Sequence, residues 1–403
     1  MDLKSGYPYW AVKNGLMHAF PRLREDADAD VVVVGGGITG ALIADELSRH
    51  GHEVMVVEQR DIGWGSTSAS TSMLQYEIDE HLVDLAGKYG EDDALLAYRA
   101  CDQAIDSLRE VTRPFRDVEF AKQQSLYYAS GLWQARGVRK EFELRERTGF
   151  DVEWLDRDAL ASRFRIDAPG AILSAQAARV DPYRLAYRLF MRLERSGARV
   201  YDRTRISDIT PGSRGVRLVT EEGAVIRARH VVMAAGYASQ KWLPKSVASN
   251  RSSYAFISDP MSPEALGFIA DTLVWESARP YLYLRSTADG RLLVGGEDDT
   301  VDVPARRDAR VEKKQARLQK KLAKVFPDLD YTPAFAWAGT FAETEDGLPF
   351  FGPHPSLGPR VLFAMAYGGN GITYSMIGAA LLRAGIEKRR HPLSALFSFK
   401  RVE

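Results

Sequence analysis

Gly35, Gly37 and Gly40 stand in the spacing G-x-G-x-x-G after a β-branched run, Asp30-Val31-Val32-Val33-Val34, and Glu58 follows 23 residues after Gly35. Each residue has a mechanical reason to be there. Gly35 permits a tight turn, Gly37 lets the backbone approach a pyrophosphate, and Gly40 lets helix and strand pack closely. Ile38 and Thr39 open the helix, whose free N–H groups and partial positive charge suit phosphate. Glu58 ends the next strand and can accept both hydroxyls of a ribose, so the pattern points to a dinucleotide. A glycine-rich turn with no ligand is the plain alternative. A small, hydroxyl-rich loop follows, with Gly63, Gly65, Ser66, Thr67, Ser68, Ser70 and Thr71. Such a loop can donate hydrogen bonds to a diphosphate and a flat ring; otherwise it is a surface turn, although Trp64, Met73 and Leu74 suggest that it is pinned to the core. Further on, Arg279, Tyr281, Tyr283 and Arg285 alternate along RPYLYLR, so all four share one face of a strand. Two cations and two phenols on one face suit a carboxylate, or make an ordinary polar outer face.

These residues need elements to position them. The valine run, the segment ALIADELSRH and Val54–Glu58 form a strand–helix–strand unit of about 30 residues, the size of a parallel βαβ unit. Leu95, Tyr98, Cys101, Ile105 and Leu108 mark an amphipathic helix with Cys101 on its apolar stripe. Residues 182–195 form another, and 225–236 read as a strand that becomes buried. From Tyr254 to Gly296 the period changes to two, broken by Pro and Gly, as in an antiparallel sheet inserted into the α/β unit. Arg306–Phe326 is a basic amphipathic helix with a solvated face. Val361–Leu382 carries no charge over a membrane-spanning length, but Gly368-Gly369-Asn370-Gly371 interrupts it; we read a buried strand over Val361–Ala366, a glycine turn and a buried helix from Thr373.

In this order the motifs resemble the FAD-dependent oxidoreductases of the D-amino-acid oxidase family, which includes glycine oxidase and the sarcosine oxidases. Four segments carry the resemblance: Gly35–Gly40 with Glu58, the Ser/Thr loop after Gly63, His230–Gly236, and Gly368-Gly369-Asn370-Gly371-Ile372-Thr373. It implies α/β plus antiparallel β architecture, a Rossmann-like FAD-binding domain interleaved with a mixed or antiparallel substrate domain. It adds Ile206 as an adenine contact, Ala235 and Gly236 beside the cofactor, and the C-terminal turn against the flavin ring, its helix N-terminus facing the oxygen where charge gathers on reduction. It also makes Tyr281 a carboxylate-binding tyrosine; the strand alternation itself offers Arg285, on the same face, as its charged partner. Departures matter as well. Phe341 occupies the position of the family's substrate-binding arginine, ahead of Asp346-Gly347-Leu348-Pro349, and Leu293 falls near the oxygen-activating lysine of sarcosine oxidase. The loop Gly63–Thr71 has no histidine, and the only cysteine is Cys101, so FAD is expected without a covalent tether.

The chain has 403 residues, 54 Lys+Arg against 54 Asp+Glu, and 45% hydrophobic residues. Zero net charge excludes a field that gathers nucleic acid, and the scattered histidines and lone cysteine offer no metal cluster. The single cysteine and the absence of a signal-peptide pattern fit a cytoplasmic protein with no integral membrane segment. Residues 28–90, 150–245 and 335–396 are assigned to the FAD domain, 91–149 and 246–334 to the substrate domain, and 1–27 to an extension packed on the core. The expected activity is hydride transfer from a small amino acid or amine to FAD, with oxygen or an unknown carrier as electron acceptor. Oxidation of a hydroxy acid or polyol phosphate, and a flavin-binding module serving a protein partner, are the competing readings.

Overall fold

The computed structural model describes residues 2–5, 8–301, 303–365 and 367–402. Its strands form two sheets. The first runs Phe350–Pro353, Val361–Met365, Val225–Met233, Ala27–Val34, Val54–Val57, Arg199–Tyr201, the last five parallel, with Val216–Thr220 paired to Val225–Met233 and Ile206–Pro211 paired in turn to Val216–Thr220. The valine run is buried on both faces: Val31 and Val33 join one apolar cluster and Val32 the other. The helices Ile38–Arg49, Pro182–Arg195 and Gly371–Ile386 cover one face, because their leucines and alanines recur at helical spacing. Val361–Met365 and Gly371–Ile386 are the expected buried strand and helix, and Ala366 lies outside the described residues. No described helix is long and apolar enough to cross a membrane.

The second sheet runs Pro333–Glu343, Ser249–Pro260, Arg291–Asp299, Leu282–Ser286, Thr272–Glu276, Ala121–Tyr128, Ala171–Arg179, Met73–Gln75, with Val152–Leu155 beside Ala171–Arg179. All its pairings are antiparallel except that of Thr272–Glu276 with Ala121–Tyr128. Leu318 and Leu322 of the helix Val311–Val325 pack on one face. The two units interleave more finely than the periodicity indicated. Strands 73–75, 152–155 and 171–179 lie in segments assigned to the FAD unit, yet belong to the second sheet. The helix Glu91–Thr112, assigned to the substrate unit, buries Tyr98, Cys101 and Ile105 in the cluster that holds Val31 and Val33. Alternation identifies a strand but not the sheet it joins.

The N-terminal segment packs on the second sheet. Ser5 donates its N–H to Ala338 O (2.9 Å), and the buried Arg307 donates to the carbonyls of Asp2 and Lys4.

Candidate active site

A cavity of about 310 Å³ lies in the seam between the sheets. At one end the tight turn after Ala27–Val34 brings Gly35 to φ +129°, where an added Cβ would collide with Ala234 O. A Cβ on Gly40 would collide with Gly35 O, so the helix Ile38–Arg49 sits against the turn only because residue 40 is glycine. Ile38 donates its N–H to Thr67 Oγ1 (3.0 Å), tying the helix N-terminus to the Ser/Thr loop. Glu58 accepts the N–H groups of Gly36 (2.7 Å) and Arg60 (2.9 Å). Burial pushes its carboxyl upward, and those two donors hold it back. A carboxylate has about four lone-pair sites, so these bonds do not exhaust its capacity to accept ligand hydroxyls.

The Ser/Thr loop is held from below. The indoles of Trp10 and Trp337 donate to Ser70 O (2.7 Å) and Ala69 O (2.8 Å), and Ser66 Oγ donates to Thr340 O (3.2 Å). Gly65, Ser66, Thr67, Ser70 and Thr71 all line the cavity, as do Ile206, Ala235 and Gly236. On the far side the turn Gly368-Gly369-Asn370-Gly371, with Ile372, forms another wall. It is stitched to the chain at 75–79: Gly369 N–H donates to Asp79 Oδ2 (2.7 Å) and Asn370 Nδ2 to Glu77 O (2.6 Å). Thr39 Oγ1 and Ser375 Oγ lie 2.8 Å apart, so the two helix N-termini meet at the same cavity.

Three expected residues do not line it. Gly40 acts through packing. Thr373 is buried and donates to Gln75 O (3.3 Å), anchoring the turn. Arg285 corrects the reading of the strand face. It is 1% exposed and spends its donors on the carbonyls of Thr71 (2.7 Å), Ser286 (2.8 Å) and Val180 (3.5 Å). The loop it supports lies between it and the cavity, so it cannot meet a ligand's charge there.

The second sheet supplies the remaining wall. Trp275, Tyr281, Tyr283, Ser253, Asp298, Trp337, Phe341 and Glu343 all face the cavity. The Tyr283 and Ser253 hydroxyls are 3.2 Å apart, and burial pushes the Tyr283 phenol up to about 12. Trp275 stacks on Tyr127 at 3.9 Å, whose hydroxyl lies 2.8 Å from His81 Nε2. Arg279, exposed at the mouth, donates to Asp79 O (2.7 Å) and lies 3.9 Å over the Tyr281 ring. Arg251 is paired with Glu343 at 2.9 Å. Leu293 is buried in the apolar core. No cysteine or histidine lines the cavity among the described residues, and no described group of residues could hold a metal ion.

The pattern of residues in the sequence did not single out Asp79, Asp298, Glu343 or Trp275. Only Asp298 had a signal, the Gly295–Gly296 pair inside a strand, which marks a bulge. The cavity suits FAD: the glycine turn and the N-terminus of the helix Ile38–Arg49 could hold its diphosphate, Glu58 could accept its ribose hydroxyls, and the N-terminus of the helix Gly371–Ile386 opens on the same cavity, where it would favour negative charge.

Comparison with known proteins agrees. Residues 30–384 match the model of the family described as "FAD dependent oxidoreductase". The chain is 29% identical over 372 residues to glycine oxidase of Geobacillus kaustophilus (strain HTA426), covering 89% of this chain and 93% of that protein. It is 27% identical over 392 residues to gamma-glutamylputrescine oxidoreductase of Escherichia coli (strain K12), covering 94% and 89%. The fold is shared with the crystal structure of G. kaustophilus glycine oxidase (TM-score 0.75, 22% identity, 92% of this chain and 98% of that one). It is shared too with L-proline dehydrogenase from P. horikoshii (TM-score 0.76, 17% identity, 94% and 100%). With the glycine cradle, Glu58 and the C-terminal turn all meeting at one cavity, this chain belongs to the FAD dependent oxidoreductase family and is an FAD-dependent oxidoreductase.

Proposed function

We propose that the enzyme oxidises a C–H bond beside the nitrogen of a small amine or amino acid, with FAD held non-covalently and oxygen or a separate carrier taking the electrons. One observation carries this reading: the cavity that begins at Gly35 and Glu58 continues without a break to the aromatic and carboxylate wall of the second sheet. FAD, when bound, supplies the hydride-accepting ring. The protein's part is orientation, charge and exclusion of water. The Ser66–Thr71 loop and the Gly368–Gly371 turn offer hydroxyls and backbone N–H groups from opposite walls, while Trp275, Tyr281, Tyr283 and Phe341 enclose the substrate's end. Tyr281 offers a phenol there, and Arg279, unlike Arg285, lines the cavity beside it. An unprotonated amine needs no separate catalytic base.

Anaerobic titration with amines, amino acids and hydroxy acids tests the substrate class: amines or amino acids should bleach the flavin, and bleaching by hydroxy acids alone would overturn the reading. Acid precipitation should release the flavin into the supernatant, because Cys101 is fully buried in a helix away from the cavity and no histidine among the described residues lines it. Flavin retained in the pellet would refute non-covalent binding. Glu58→Ala removes the acceptor for the ribose hydroxyls. Hydrogen bonds to a charged group are worth about 1.5–3 kcal/mol, so FAD affinity should fall roughly ten- to hundredfold by equilibrium titration of apoprotein. Unchanged affinity would mean the ribose is held elsewhere.

A further inference from the structure

The strand Arg291–Asp299 is broken where it passes the cavity. Its register with Ser249–Pro260 jumps from Tyr254↔Gly296 to Ser252↔Asp299, so residues 297 and 298 together oppose Ser253. Gly296 has φ +134° and Glu297 φ +56°. This is a β-bulge, a device that re-aims side chains beside active sites. Gly295 sits opposite Tyr283 and against its ring, on the cavity face. Plain alternation would put Glu297 on that face and Asp298 on the other. The bulge reverses them. Glu297 turns outward to Lys321 (2.9 Å), Arg317 (3.5 Å) and Lys314 (3.6 Å), and Asp298 turns into the cavity.

One oxygen of Asp298, Oδ1, is shielded from solvent and has no hydrogen-bond partner. A buried carboxylate oxygen left this way is costly and calls for a donor. The surroundings favour a cationic one. Asp79 and Glu343 line the same cavity; Arg279 is engaged by Asp79 O and the Tyr281 ring, and Arg251 by Glu343. The rings of Trp275, Tyr281 and Tyr283 add faces that attract ammonium groups. Burial, with Asp79 and Glu343 close by, pushes the Asp298 carboxyl up to about 6, against the pull of Ser253 and Arg279. A carboxylate beside the nitrogen that reacts would hold it as ammonium, with no lone pair to assist loss of hydride. Its charge is useful on a different nitrogen.

We infer that the substrate carries two nitrogens and that Asp298 binds the protonated one that is not oxidised, which makes the substrate a diamine or an ω-aminoalkyl amine and not a simple α-amino acid. This rests on the amine reading above. The test titrates the holoenzyme anaerobically with 1,4-diaminobutane, butylamine and 4-aminobutanoate, taking apparent dissociation constants from the flavin spectrum. At pH 8 the diamine should bind at least about tenfold more tightly than butylamine, and 4-aminobutanoate most weakly, as expected of a hydrogen bond to a charged group. Asp298→Asn should lower the diamine-to-butylamine preference by about ten- to hundredfold while the protein still purifies with FAD. In the wild type the preference should fade as pH drops through about 6 and Asp298 takes up a proton. It should stay flat in Asp298→Asn, which keeps the neighbouring Asp79, Glu343, Arg279, Ser253, Tyr281 and Tyr283. Equal affinities for the diamine and butylamine in the wild type would overturn the inference, and so would an undiminished preference in the variant. Bleaching by all three compounds with affinities independent of Asp298 would sink the inference alone. Bleaching by none of them, with the diamine still bound through Asp298, would instead sink the amine-oxidation reading.

Discussion

Gly40→Ala is expected to yield protein that has lost nearly all its flavin, with the ratio of visible to ultraviolet absorbance at least about tenfold below wild type. The new Cβ would lie far inside the 3.0 Å that real Cβ contacts respect, and the atom it meets is the backbone carbonyl of Gly35, not a side chain that can swing away. Relief requires the helix Ile38–Arg49 to move off the strand Ala27–Val34, at the overpacking cost of about 1–3 kcal/mol or more. That motion withdraws the helix N-terminus from the phosphate position and breaks the bond from Ile38 N–H to Thr67 Oγ1, so the Ser/Thr loop shifts with it. Gly87→Ala is the control. Gly87 lies within the helix Leu82–Tyr89 with nothing within 4 Å of its Cβ position, so alanine there should be neutral or stabilising by about 0.5–1 kcal/mol. A Gly40→Ala protein with full flavin content would show that the turn tolerates separation from the helix.

The parts of the site built from glycine spacing and hydrophobic period were legible in the sequence, because each depends on local chain geometry. Gly35, Glu58, the loop from Gly63 to Thr71 and the turn Gly368–Gly371 all meet at the cavity. What was not legible depends on depth and on irregularity. Alternation places Tyr281, Tyr283 and Arg285 on one strand face but cannot say that the Ser/Thr loop covers that face beyond Tyr283, leaving Arg285 beneath it. Asp298 sits on the wrong side of any regular count, and only the bulge at Gly296 and Glu297 returns it to the cavity. Asp79 and Glu343 come from chain segments far apart in sequence, and no local pattern joins them.

The same limit hides the interaction whose loss should cost the most stability. Glu141 and Arg145 stand one turn apart on the helix Leu132–Arg147, where a charged pair reads as a solvated face, yet both are fully buried. Arg145 lies 2.7 Å from Glu141 and 3.6 Å from Glu77. Glu141 also accepts the N–H groups of Leu82 (2.9 Å) and Val83 (3.0 Å) at the start of the helix Leu82–Tyr89. Burial works to raise the Glu141 carboxyl, but Arg145 beside it holds it below its usual range; at Glu77 burial prevails and the carboxyl is raised. Arg145→Met keeps most of the aliphatic stem and leaves two buried carboxylates without their cation, so stability should fall by about 3–5 kcal/mol. The functional site should feel it, because Glu77 lines the cavity and its carbonyl holds Asn370 in the C-terminal turn. Thermal unfolding followed by circular dichroism and flavin fluorescence should show flavin released before the main transition. Glu141→Gln added to Arg145→Met should restore part of the loss, since it removes one of the stranded charges while keeping an oxygen for Leu82 and Val83. The pH dependence has a definite sign. In the wild type the stability that Glu141 contributes is present above its unfolded value and is lost as pH falls through its depressed folded value. In Arg145→Met the folded values of Glu77 and Glu141 both lie above the unfolded ones, so acid now favours the folded state, and the gap to wild type should narrow as pH is lowered from 8 towards about 5. A gap that stays constant across that range would mean that the loss comes from packing and not from the stranded carboxylates.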